Sequence, residues 1–214
     1  MKIIQASISE NGTIKGNAGD QTGKELNIKE WYKRPWEAVI RYENSIKANE
    51  AMENAKYLAD SNLVGYSQPD RNNLYKALKK YNFNIEKYIA SGEKTNCDCS
   101  SFVYACYACV LPELRMDTNA PTTSNYIDFF GDKGFYIFQN NTYTNQTSLL
   151  INGDILLSIG KHVVIAYNDS YSNSIENALS VIASEVLKGT FGNGVNRKEN
   201  IYKAVQNKVN KLLS

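Results

Sequence analysis

The chain has 214 residues, with 43% hydrophobic and 21% charged side chains. That is the composition of a water-soluble globular protein of one sizeable domain, or of one medium domain and a small module. A formal net charge of +2 gives no electrostatic footprint for nucleic acid, and no apolar run approaches the length of a membrane span.

The N-terminal MKIIQASISENG turns polar too early for a signal peptide. The chain is therefore expected to be made in the cytosol and to need outside help to leave it. A strand is expected at Lys2–Ile8, then a Gly-rich loop, GNAGDQTGKE. The apolar positions Trp36, Val39, Ile40, Ala48, Ala51, Met52, Ala55 and Leu58 predict a helix from Pro35 to Ala59. VGYSQPDRNN reads as a connector, followed by a helix over Leu74–Lys80.

DCSSFVYACYACVL reads as a buried helix with a polar N-cap, ending before Pro112. PTTSNYIDFFGDKGFYIF predicts a short helix, a Gly turn and a strand. GDILLSIG and KHVVIAYND predict two strands joined by a Gly-containing turn. Helices followed by a run of strands indicate an α+β domain. From residue 173 onward the pattern is helical: SNSIENALSVIASEVLKG, stopped by Gly189, and NRKENIYKAVQNKVNKLL. The expected division is 1–172 and 173–214.

The four cysteines all fall between 97 and 109, unlike a secreted disulfide scaffold. Cys99 stands where a helix starts, and unpaired amides and the helix dipole favour a thiolate there. Cys106 and Cys109 lie deeper in the apolar run, where a thiol packs as a small hydrophobe. Metal ligation by the Cys-x-Cys and Cys-x-x-Cys pairs is the rival reading, disfavoured because structural zinc pairs prefer turns; no metal or other cofactor is expected. The chain has one histidine, so a Cys–His pair must use His162 as its base.

DCSSFVYAC followed some sixty residues on by GDILLSIGKHVVIAY resembles the NlpC-like family of papain-fold peptidoglycan hydrolases. The strings ISENG…GDQTGKE and GYSQPDRNNL resemble phage endolysins of that type from Gram-positive hosts. The resemblance implies a papain-like catalytic domain in which Cys99 attacks an amide carbonyl and His162 takes its proton. It also implies a third polar residue that orients the imidazole. Asp169 is the first choice and Asn168 the second, with a plain turn role open for both. An oxyanion donor is the Cys99 amide. Tyr66 matches the family's upstream tyrosine. Gln21 matches the upstream glutamine of papain-like enzymes, or stabilises its own loop.

VIASEVLKGTFGNGVNRKENIYKAVQNKVN resembles the cell-wall-binding repeat first described in the Cpl-seven lysozyme, with Phe191 where that family has Trp. It implies a small all-α module that binds muropeptide through Gly192, Asn193, Gly194 and Arg197. The segment between Arg197 and Val205 is short for the family, so two helices are expected to merge into one. The expected whole is a phage-type endolysin that hydrolyses an amide in the peptidoglycan stem peptide or cross-bridge, acting at the cell wall after release. An N-acetylmuramoyl-L-alanine amidase with the same pair, and a non-catalytic wall-binding protein, are the alternatives.

Overall fold

The computed structural model describes residues 1–8, 12–116, 119–168, 186, 189, 191–192 and 194–213. The chain divides into two compact units, Met1–Asp169 and Ser170–Ser214. In the first unit the strands are β1 (Lys2–Ala6), β2 (Leu26–Glu30), β3 (Ala38–Tyr42), β4 (Val64–Tyr66), β5 (Thr95–Cys97), β6 (Phe135–Phe138), β7 (Ile155–Ser158) and β8 (His162–Tyr167). Its helices are α1 (Ser45–Asp60), α2 (Asn73–Lys80), α3 (Ile85–Ser91), α4 (Cys99–Val110), α5 (Tyr126–Gly131) and α6 (Asn141–Thr144). Six strands form one antiparallel sheet in the order β2-β1-β8-β7-β3-β6. β4 and β5 pair in parallel as a separate ribbon. The domain is α+β, as expected.

The sheet is buried on both faces. Val163 and Ile165 of β8 join the main core with the helices, while Val164 and Ala166 join a second cluster with Ile3, Trp36, Val39 and Leu156. Covering both faces explains why HVVIAY is an unbroken apolar run rather than an alternating one. α4 is buried from Cys99 to Ala108, so its apolar character runs all round instead of along one stripe.

The helix expected from Pro35 to Ala59 is corrected in its first third. Residues 38–42 form β3, inserted between β7 and β6. AVIRY carries two β-branched residues, and its alternating positions serve the two cores. The helix starts only at Ser45, because the Asn44 carboxamide oxygen accepts from the amides of Ile46 and Lys47, both at 3.1 Å, a side-chain cap. β1 is also shorter than expected, ending at Ala6. β2, β4, β5 and α3 fall in stretches where the pattern predicted no element; the two ribbon strands are three residues each, too short to show a period.

The Gly-Asp pair before β7 anchors the sheet to the helices. Gly153 has φ +85°, and a Cβ there would stand 2.3 Å from the backbone oxygen of Ala48 in α1. Its carbonyl accepts from the buried Tyr107 hydroxyl at 2.5 Å. Asp154 takes both ends of the Arg41 guanidinium, at 2.7 and 2.6 Å.

In the second unit the described helix is α7 (Val195–Leu213), continuous through the stretch where two helices were expected to merge. Gly189, Gly192 and Gly194 all have positive φ, and Gly189 donates to the Val186 carbonyl at 3.0 Å. The Arg197 Nε donates to the Gly192 carbonyl at 3.0 Å and the Asn200 amide to Phe191 O at 3.2 Å. The helix expected before Gly189 lies, except for Val186, outside the described residues, as does Asn193.

Gly153→Ala is expected to destabilise the first unit by at least about 2 kcal/mol, since it combines a left-handed backbone with a clash against helix backbone; denaturant unfolding of the variant measures it.

Candidate active site

Cys99 is the first residue of α4, directly after β5. Asp98 caps the helix: its Oδ1 accepts from the Ser101 amide at 2.7 Å, and its own amide donates to Ser101 Oγ at 2.9 Å. This reciprocal capping box sets the angle at which the chain turns from strand into helix. Arg71, in the stretch read as a connector, clamps the turn from outside. It donates to Asp98 Oδ2 and Ser100 Oγ, both at 2.6 Å, and to the carbonyls of Ala120 and Pro121 at 2.8 Å. The Tyr126 hydroxyl donates to the Ser100 carbonyl.

The thiol is not the low-pKa group that its helix position suggested. Burial pushes Cys99 up to about 11, reinforced by the negative charge of Asp98. The amides of Val163 and Ser100 and the charge of Arg71 pull the other way without winning. A helix dipole contributes about 1 kcal/mol, while desolvating an anion costs several. Cys97 and Cys106 are fully buried in the core, with their thiols raised further by burial, and Cys109 is pushed up to about 12.

His162 opens β8 and is 9% exposed. Its Nε2 lies 3.0 Å from Oε1 of Gln5 on β1. An amide oxygen only accepts, so Nε2 carries the proton and Nδ1 presents a lone pair. The ring stacks on Trp36, with centroids 6.4 Å apart and planes inclined by 27°. Burial lowers the imidazole to about 4, with the charges of Arg34 and Lys29 adding to the effect. At neutral pH both thiol and imidazole are therefore uncharged.

Both groups lie near the start of β8 but on different faces of the sheet: Cys99 packs in the main core with Val163, whereas His162, two residues before Val164, faces Trp36 and the second cluster. The Cys99 sulfur lies against the Val163 amide, one residue after His162. Tyr66 connects the two sides. It ends β4, paired with Cys97, and its hydroxyl is pushed up to about 12, chiefly by burial and partly by Cys99. With Gln5, Gln68, Arg34 and His162 it lines a groove of about 300 Å³.

Other expected residues lie elsewhere. The Gln21 carboxamide donates to the Val64 carbonyl and accepts from the Leu26 amide at 3.3 Å, tying its loop to β4 and β2. Asn168 follows the far end of β8, where its amide donates to Asn152 at 2.7 Å. Six residues of strand put it roughly 20 Å from His162. Asp169 lies outside the described residues. Sequence reasoning missed Gln5, Arg71 and the part Trp36 plays beside the histidine. Gln5 did leave a signal: it is the lone polar residue inside the buried IIQA run, where an uncharged amide needs a buried partner.

A family model described as an endolysin-like domain matches residues 3–173, and a CW_7 repeat model matches residues 180–213. No curated protein and no solved structure matches the chain.

The imidazole makes stability depend on pH. In the unfolded chain it takes a proton near 6.5, in the folded one only near 4. The unfolded state thus binds the proton first as pH falls, and about 3 kcal/mol is lost between those values. Urea unfolding at pH 7 and pH 4 should show this loss in the wild type and a smaller one in His162→Gln.

Proposed function

The chain belongs to the endolysin-like domain family, and from that premise we propose that it hydrolyses an amide of the peptidoglycan stem peptide or cross-bridge by Cys–His covalent catalysis on a papain-like scaffold. An endolysin-like domain followed by a CW_7 repeat makes it a cell-wall-acting endolysin, with peptidoglycan as its partner. The observation that supports the mechanism is the 3.0 Å contact between His162 Nε2 and Gln5, which leaves Nδ1 as the ring's free base; the proton transfer requires the Cys99 thiol to come within reach of it at the start of β8.

With both groups neutral at rest, the proton moves as the bond forms. Nδ1 takes the thiol proton while Sγ attacks the carbonyl carbon, so no free thiolate need accumulate. The backbone amide of Cys99 meets the developing oxyanion, and the Tyr66 hydroxyl lies on the same groove. Collapse breaks the C–N bond, and the imidazolium gives its proton to the leaving amine. Water, deprotonated by the same imidazole, then hydrolyses the thioester. Gln5 Oε1 holds the ring in one tautomer and stabilises its charged form, while Trp36 excludes water from that hydrogen bond. Gln5 takes the orienting role assigned from the sequence to Asp169.

In the second unit, Gly192, Asn193, Gly194 and Arg197 are the proposed muropeptide contacts. Arg197 bonds the Gly192 carbonyl, and the glycines let backbone approach a ligand. A single repeat binds weakly and adds avidity to the catalytic unit.

Digestion of purified walls tests the chemistry. Cys99→Ala and His162→Ala should each lose at least about a thousandfold in rate, because the pair acts as a unit. Gln5→Ala should lose roughly tenfold to a hundredfold, the scale of a missing proton-transfer aid, and wild-type activity should fall away as pH drops through about 4. Clearing by Cys99→Ala at the wild-type rate would sink the mechanism. Mass spectrometry of the products locates the bond, and a freed stem peptide beginning at L-Ala would make the enzyme a muramoyl-alanine amidase. Deletion of residues 175–214 should weaken sedimentation with walls while leaving Cys99-dependent hydrolysis of soluble fragments intact.

A further inference from the structure

The groove beside His162 carries positive charge that no acidic side chain answers among the described residues. Arg34 and Lys161 line it. The Arg34 Nε is buried with no hydrogen-bond partner, and none of the ion pairs among the described residues involves Arg34 or Lys161. The other arginines are all engaged: Arg41 with Asp154, Arg71 with Asp98, Arg115 with the carbonyls of Ala108 and Cys109, and Arg197 with Gly192. A buried guanidinium N–H without an acceptor is unfavourable, and a fold that tolerates one beside a groove leaves it for a ligand.

The guanidinium is also held in place. Its carbon lies 5.8 Å from the Trp36 ring centroid, and Trp36 stacks in turn on His162. Stacking fixes a planar cation without using its N–H donors. The fork therefore stays available within one aromatic ring of the base.

We propose that Arg34, with Lys161 on the same groove, forms an anion subsite that holds a free carboxylate of the peptide substrate. This rests on the reading that the Cys99–His162 site cleaves peptidoglycan peptides. A planar fork matches a carboxylate bidentately, and a carboxamide offers only one acceptor oxygen and no charge. The subsite would make the enzyme select walls whose stem peptides keep their carboxylates over walls in which those groups are amidated. Arg34 thus serves twice, as substrate anchor and as a charge facing the imidazole.

The test compares two probes, a soluble cross-linked muropeptide dimer, which holds the muramoyl, stem-peptide and cross-bridge amides, with free peptide carboxylates and the same dimer with every peptide carboxylate converted to carboxamide. The full-length wild type should cleave the free-acid dimer with a kcat/KM about tenfold higher or more, the scale of one charge-assisted hydrogen bond. The difference should lie mainly in KM and shrink with added salt. Arg34→Gln should lose most of that preference, while Arg34→Lys should keep part of it. A wild type that shows no preference, or an Arg34→Gln variant that keeps the full preference, overturns the subsite. Cys99→Ala runs in the same assay. If it cleaves like wild type, the catalytic reading fails; if it is dead and the preference ignores Arg34, the subsite alone fails.

Discussion

The antiparallel pairing of β1 with β8 is the constraint on which the candidate site depends. These strands stand at opposite ends of the first unit, yet Ile3 pairs with Ala166 and Ile4 with Ile165. The register leaves no freedom: slipping it by one residue would turn Gln5 toward the helices and Ile4 toward the histidine face. Because both faces of the sheet are buried, that slip would bury an unpaired amide as well. Closing the sheet with its first strand is thus the same event as giving the imidazole its partner.

The electrostatics follow from how deeply the pair is set. Burial is the largest cause that raises Cys99 to about 11 and lowers His162 to about 4, in each case favouring the uncharged form. The capping box, the Arg71 clamp and the helix amides fix geometry more than they stabilise an anion. Arg71 neutralises Asp98 beside the sulfur, which keeps a carboxylate needed for the cap from opposing attack too strongly. A site built this way holds its charge in reserve until substrate arrives, with Arg34 as the exception that faces the groove ready charged.

The same separation of roles explains the Gly-Asp pair ahead of β7. It is part of the string by which the sequence resembles NlpC-like hydrolases, and its residues bond to Tyr107 and Arg41. Gly153 lets β7 pass against α1, and Asp154 gathers Arg41. They hold the sheet on the helices, and so hold β8 at the height where α4 begins. The match of an endolysin-like domain model over residues 3–173 fits a pattern in which framework and reactive residues are interleaved along the whole unit.

The local determinants were readable from the sequence alone. DCSS announces a capped helix start, Pro112 its end, a single histidine names the only available imidazole, and alternating and helical periods mark α2, α4, α5, β6, β7 and β8. These features depend on neighbours within a few residues, where capping, φ restriction and side-chain period act directly. The tertiary structure alone decided what depends on partners far along the chain. AVIRY became a strand because a sheet edge was there to pair with it, against a helical apolar spacing that included Trp36. Arg71 acquired its role from carbonyls some fifty residues away, and burial rather than the helix dipole settled the state of the Cys99 thiol. The partner of His162 was sought just after its strand, where connectivity suggested it, but spatial adjacency in a sheet is set by strand order. That order put Gln5, 157 residues earlier, beside the ring.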